Sequence, residues 1–81
     1  MIHYQCKVCE QFIHPDQYKN GLAVIIRNGH EFVKGIVVHK DACDDKLAAF
    51  ALTLGLNTNS SLELSSLGNK EMINQYLRTG K

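Results

Sequence analysis

Three cysteines and one histidine are placed along this chain in two close pairs. Cys6 and Cys9 have two residues between them, and His39 and Cys43 follow much later with three residues between them. Thiolate sulfur and imidazole nitrogen are preferred ligands of Zn²⁺, and three Cys with one His form a common tetrahedral structural set. The spacing therefore predicts one structural zinc ion that joins two distant segments of the chain at a single point.

The length of the chain makes such a cross-link important. It has 81 residues, of which 44% are hydrophobic, and a domain of this size is only marginally stabilised by its own core unless a metal, disulfides or a partner supports it. We predict a single domain over residues 1–81. Within it, 1–55 form a zinc-stabilised knuckle, hairpin and helix, 56–68 form a linker and turn, and 69–78 form a C-terminal helix.

Residues 22–38 predict a β-hairpin. Apolar and β-branched residues run to Arg27 and resume after Asn28-Gly29, a pair typical of two-residue hairpin turns. A turn centred on this pair predicts that Ile25 faces Phe32, with Gly35 as a candidate bulge. Both faces of the predicted hairpin are apolar, so both need cover.

Two helices are predicted to follow. The first covers 42–54, with Asp41 as its N-cap and Gly55 just past its end. Its apolar side chains recur at helical spacing, and Cys43 shares their face. A polar linker over 55–61 leads towards the second helix, at about 69–78, whose apolar stripe consists of Met72, Ile73, Tyr76 and Leu77.

This order of CxxC knuckle, β-hairpin and helix with a ligand in its first turn resembles the treble-clef class of zinc fingers over about residues 4–54. The resemblance implies a small α+β zinc-binding domain in which the ion fixes the knuckle to the start of the helix. It is a resemblance of fold plan and matches no particular family. LIM domains and the nick-sensing fingers of poly(ADP-ribose) polymerases are similar, but they usually place two residues between the distant His and Cys. Glu10 stands where treble-clef knuckles often carry Gly.

Other interpretations of the cysteines stay open. They could be buried residues without a ligand, or Cys6 and Cys9 could form a redox CxxC, although such motifs usually open a helix after a strand. His3 is close enough in sequence to replace one ligand. Four protein ligands would leave zinc no open position for water, and the glycines form no phosphate-binding loop. We therefore predict that the chain is not an enzyme.

The charge of the chain favours a protein partner. The formal net charge is +1, and three thiolates with one Zn²⁺ would bring it to about 0, unlike a strongly basic nucleic-acid binder. We predict a structural-zinc module for protein–protein recognition, a small regulatory or accessory protein of bacterial or phage type. Arg27, Phe32 and Lys34 are candidate contact residues on the second face of the hairpin, if the C-terminal helix leaves that face open.

Nucleic-acid binding is the alternative. Basic residues are frequent in the first half of the chain, and aromatic side chains near the knuckle could stack on bases; these are Tyr4, Phe12 and Tyr18. Packing within a small core is the competing interpretation of the same aromatic residues.

The compartment follows from the cysteines and from hydropathy. No run of about 18 to 20 apolar residues predicts a membrane span, the first residues do not resemble a signal peptide, and an odd number of cysteines suits a reducing environment. We predict a cytoplasmic protein that does not bind membranes. The sequence leaves a monomer and a homodimer equally open.

Overall fold

A computed structural model describes residues 4–80 of the chain. Their strands are β1 (Tyr4–Gln5), β2 (Phe12–Ile13), β3 (Gly21–Asn28), β4 (Glu31–His39) and β5 (Asn57–Glu63). Their helices are α1 (Ala42–Thr53), α2 (Leu64–Leu67) and α3 (Lys70–Thr79), and a 3-10 helix (Pro15–Asn20) precedes β3. The chain is therefore a small α+β domain.

Strand β3 lies at the centre of a three-stranded antiparallel sheet. It pairs with β4 along one edge and with β5 along the other, while β1 and β2 form a separate two-stranded sheet. Apolar β-branched residues suit a strand that is covered on both faces, and β3 buries every residue from Ala23 to Ile26. This explains why the strand is apolar without interruption from Leu22 to Ile26.

One helix covers each face of the sheet. Ile26 and Ile36 lie on the side of α1, next to Leu47. On the other side α3 approaches so closely that a Cβ atom at Gly35 would lie 2.3 Å from the carbonyl oxygen of Leu77. The second face of the hairpin is thus part of the core, and glycine is required where the helix backbone meets β4.

The predicted hairpin is confirmed, but its predicted register is wrong. Asn28 faces Glu31, so the turn consists of Gly29 and His30, and Ile25 faces Gly35 rather than Phe32. Gly29 takes a φ of +66°, whereas Asn28 has no positive φ, so Asn28 cannot be a central residue of a turn that needs positive φ at both positions.

The bulge also lies elsewhere than predicted. The register shifts between Ile26, which faces Lys34, and Arg27, which faces Phe32. The extra residue is therefore Val33, and Gly35 stays in the regular ladder. A bulge reverses the parity of all later residues, so Ile36 and Val38 share a face with Val24 instead of with Ile25.

The polar linker predicted over 55–61 and the linker and turn assigned to 56–68 are wrong from residue 57 to residue 63. Residues 57–63 form β5, which pairs with β3 from Leu22 to Arg27. Asparagine and serine favour turns, but β5 is an edge strand in which no residue is fully buried, and its pairing satisfies the second edge of β3. The turn before the last helix is the short helix α2, which buries Leu64 and Leu67.

Both predicted helices are confirmed, with one change at a terminus. Asp41 precedes α1, but its side chain makes no capping hydrogen bond and its φ is +66°. Asn69 caps α3 by accepting a hydrogen bond from the backbone N–H of Met72 at 3.0 Å. Among residues 4–80, no helix combines the length and apolar character needed to cross a membrane.

Candidate metal centre

A tight turn places the first two cysteines. The backbone N–H of Glu10 donates to the carbonyl oxygen of Cys6 at 2.8 Å, and the N–H of Cys6 donates to that of Gln11 at 2.9 Å. The turn is attached to the free edge of β4, where the N–H of Lys7 donates to the carbonyl oxygen of Val37 at 3.0 Å. These bonds hold the knuckle, defined as residues 4–13, beside the end of β4.

A corner between β4 and α1 places the other two residues. His39 ends β4, and Cys43 lies in the first turn of α1. Between them Asp41 takes a left-handed φ of +66°, which non-glycine residues adopt only where surrounding structure holds them. The corner turns the first residues of the helix back towards the knuckle.

The structure brings all four predicted residues together. The ligand atoms of Cys6, Cys9, His39 and Cys43 all lie within 4.8 Å of one another. The Nδ1 atom of His39 is 3.3 Å from the Sγ of Cys9 and 4.0 Å from the Sγ of Cys43. Two sulfurs bound to one tetrahedral Zn²⁺ at about 2.3 Å would be about 3.8 Å apart. The donor set therefore fits a single metal ion.

The thiols influence one another electrostatically. Burial opposes ionisation of Cys6, but the backbone N–H groups of Cys9, His39 and Val8 favour its thiolate and lower its pKa to about 6. Burial, then hydrogen bonding to and charge repulsion from Cys6 and Cys9, raises the pKa of the Cys43 thiol to about 11. A cation among the sulfurs would remove this repulsion and stabilise the thiolates together.

Burial differs among the four residues. Cys6 is fully buried, His39 and Cys43 are half-buried, and Cys9 is exposed. All three cysteines are free thiols. The backbone N–H of His39 also donates to the Sγ of Cys6 at 3.4 Å, which is an outer hydrogen bond of the kind that orients metal ligands.

The three candidate partner-binding residues do not form one surface. The side chain of Arg27 is turned inward and donates to the Oγ of Ser60 and to the carbonyl oxygen of Gly80, both at 3.4 Å. Phe32 is half-buried against the core. Lys34 is exposed and lies on the opposite side of the sheet, towards α1.

Two of the aromatic residues near the knuckle have partners inside the protein. The rings of Tyr4 and Tyr18 meet edge to face with centroids 6.1 Å apart. The hydroxyl of Tyr4 donates to the Oδ1 of Asn74 at 2.6 Å and connects the knuckle to α3. Phe12 is 57% exposed.

His3, the alternative ligand, lies outside the described residues. Comparison with known proteins finds no matching family model, and no curated protein or solved structure matches the chain.

Proposed function

We propose that the chain binds one structural Zn²⁺ through Cys6, Cys9, His39 and Cys43 and acts as a module for recognising another protein. The observation that carries the proposal is the convergence of ligand atoms from three separate segments within 4.8 Å. Three sulfurs and one imidazole nitrogen favour zinc over the hard cations, which prefer oxygen ligands.

The role assigned to the ion is structural. Four protein ligands complete a tetrahedral shell and leave no position for a reacting water, so the proposed zinc supplies a cross-link rather than a catalyst. It would join the knuckle, the end of β4 and the start of α1, in a treble-clef-like arrangement. The same coordination would protect the thiols, which counts against thiol exchange as the function.

Protein recognition is favoured over nucleic-acid binding by three observations. Tyr4 and Tyr18 are engaged in contacts within the domain, so they are poorly placed to stack on bases. The formal net charge of +1 gives no strong positive field of the kind that dominates nucleic-acid binding. Several large apolar side chains are exposed, with Phe50 at 62% and Leu54 at 57%.

The test compares the zinc-loaded chain with matched histidine variants. His39→Gln removes a proposed ligand, whereas His30→Gln changes an exposed turn residue of the same type. We expect EDTA to collapse the amide spectrum of the wild type and of His30→Gln, and His39→Gln to be poorly folded without chelator. A wild-type spectrum that stays unchanged after complete chelation would contradict a structural role for the ion.

Recognition is tested separately by using the immobilised zinc-loaded chain as bait in an extract of the cells that produce it. We expect a protein to be retained in stoichiometric amount and to be released when the ion is chelated. Retention of nucleic acid alone, lost as salt is raised, would instead support the nucleic-acid alternative.

A further inference from the structure

A groove of about 470 Å³ lies between α1 and the face of the sheet that α1 covers. One wall is the inner side of α1 and the other is β4, while the knuckle closes one end. The apolar side chains that line it include Val8, Val33, Ile36, Leu47, Phe50 and Leu54. The groove is therefore formed jointly by the knuckle, β4 and α1, the three elements that carry the proposed metal ligands.

The apolar lining of the groove is open to solvent. Phe50 is 62% exposed, Leu54 is 57% exposed and Val33 is 46% exposed, although all three line the same groove. Single exposed apolar residues are ordinary on protein surfaces, but a cluster around one concavity marks a binding surface. Phe50 and Leu54 are one helical turn apart and so present adjacent anchor points.

The charges at the groove are all of one sign. Lys7 of the knuckle, Lys34 of β4 and Lys46 of α1 line it together with the apolar residues. No acidic side chain among the described residues lines it. Three lysines from three separate elements therefore line the groove beside its apolar side chains, and they are complementary to an apolar ligand with acidic flanks.

We propose that this groove docks a short segment of a partner protein that has apolar side chains on one side and acidic side chains beside them. An amphipathic helix laid into an apolar groove is a common mode of this kind. The inference rests on the proposed function, because both the knuckle and α1 carry proposed metal ligands. Lys7 and Val8 lie between Cys6 and Cys9, and α1 carries Cys43 in its first turn.

The lysines also disfavour a second copy of the chain as the occupant. A two-fold dimer places the same patch of each subunit against the other. Lys7, Lys34 and Lys46 would then approach their own copies across an apolar interface, and like charges brought together in this way oppose association.

The probe is a synthetic fluorescein-labelled peptide with Leu and Phe at helical spacing and Glu on both flanks of that stripe. A control peptide keeps the apolar stripe and carries Lys in place of Glu. With the zinc-loaded chain we expect saturable anisotropy for the acidic peptide, and binding of the basic peptide weaker by about tenfold or more, since a tenfold change needs only about 1.4 kcal/mol.

Paired variants locate the binding surface. Phe50→Ser and Lys34→Glu should each weaken binding of the acidic peptide by about tenfold. Met72→Ser and Lys19→Glu change exposed residues of the same types outside the groove and should leave it unchanged. Zinc content and amide spectra should match the wild type in all four variants, so that a loss of binding reports on the groove rather than on folding.

Several results would overturn the proposal. They are the absence of saturable binding, equal binding of the two peptides, and unchanged binding by Phe50→Ser. Sedimentation that shows a dimer dissolved by Phe50→Ser would assign the groove to a second copy, and tighter binding to anionic lipid vesicles than to the peptide would assign it to a membrane.

The groove and the proposed function fail in different ways. If the chain holds zinc and retains a cellular protein that Phe50→Ser retains equally well, the groove is not the recognition site, but the module remains. If the acidic peptide binds equally to a chain that is folded without metal, the groove is a binding site but zinc has no structural role.

Discussion

The knuckle and the central strand β3 differ in what holds them in place. In residues 4–13 only Cys6 and Ile13 are buried, and β1 and β2 pair through two residues each. Strand β3 buries four consecutive side chains, Ala23 to Ile26, and has a hydrogen-bonded neighbour on each edge. A two-stranded hairpin with so little buried surface is marginal by itself in water. We therefore expect the knuckle to depend on the proposed metal ion and β3 to depend on apolar packing.

The largest expected effect comes from removing a proposed metal ligand beside the knuckle. His39→Gln should reduce the free energy of unfolding by several kcal/mol and by as much as about 10 kcal/mol, the scale of zinc binding in small finger peptides. Urea denaturation of the zinc-loaded proteins, with zinc content measured in parallel, checks this. The control His30→Gln, an exposed turn residue, should behave as the wild type. Equal stability of the two variants would show that the knuckle does not need the histidine.

The next effect belongs to the sheet. Ile73 is fully buried on α3, and its neighbour Met72 is 52% exposed. Ile73→Ala should cost about 2–5 kcal/mol because it leaves a cavity against the sheet, whereas Met72→Ala should cost less than about 0.5 kcal/mol. Both should bind zinc in the same amount as the wild type. If the folded Ile73→Ala protein lost its zinc, the metal centre would depend on the packing of α3, and the two regions would not be stabilised separately.

Gly35→Ala tests the close contact between β4 and α3. The added Cβ would lie 2.3 Å from the carbonyl oxygen and 2.6 Å from the Cα of Leu77, so the helix must shift at a cost of about 1–3 kcal/mol. Amide chemical shifts should change along α3 and the facing part of the sheet, and those around Cys43 should not. Wild-type stability would mean that α3 does not pack this closely.

A smaller effect, of opposite sign, is expected in the knuckle. Glu10 has a φ of +65°, a conformation that glycine adopts without steric cost. Glu10→Gly should stabilise the zinc-loaded protein by up to about 1 kcal/mol, since the relief of strain is partly offset by a more flexible unfolded chain. Gln11→Gly, next to it and without a positive φ, should destabilise. Destabilisation by both variants to the same extent would argue against strain at Glu10.

The smallest effect concerns the ion pair between Lys40 and Glu63. It joins the residue that follows β4 to the last residue of β5. The hydrogen bond from Lys40, together with one from Ser65, holds the pKa of the Glu63 carboxyl below its ordinary value of 4.5. A lowered folded pKa adds stability above the unfolded pKa, and this is lost as pH falls through the folded value. Glu63→Gln should be slightly less stable than Glu31→Gln at neutral pH. The difference should begin to shrink near pH 4.5 and disappear once the pH is below the lowered pKa of the folded protein. A difference that persists in acid would assign it to packing.

The two regions also differ in what the sequence predicts. The ligands of the metal centre follow from spacing alone, because Cys6 and Cys9 share one turn and His39 and Cys43 flank one corner. The C-terminal end of α1 follows from a local signal, since Gly55 stands just past it. These features depend on residues that are close in sequence, so no tertiary contact needs to be known.

The errors lie where tertiary contacts decide the structure. The register of the hairpin depends on a bulge at Val33 and on the approach of Leu77 to Gly35, neither of which local patterns reveal. Strand β5 was missed because Asn and Ser favour loops. One usable signal existed. Leu22 to Ile26 has both faces apolar, which predicts a strand buried on both faces, and the backbone groups on both edges of such a strand need hydrogen-bond partners. The groove joins Lys7, Lys34 and Lys46, which only the folded chain brings together.

Native mass spectrometry combined with thiol alkylation tests the metal centre most directly. Our expectation is one zinc ion per chain in the folded protein, and three thiols that resist alkylation until the ion is chelated, after which Cys6, Cys9 and Cys43 all react. A folded chain that carries no zinc after refolding with an excess of the ion, and whose exposed Cys9 reacts at once, would contradict it.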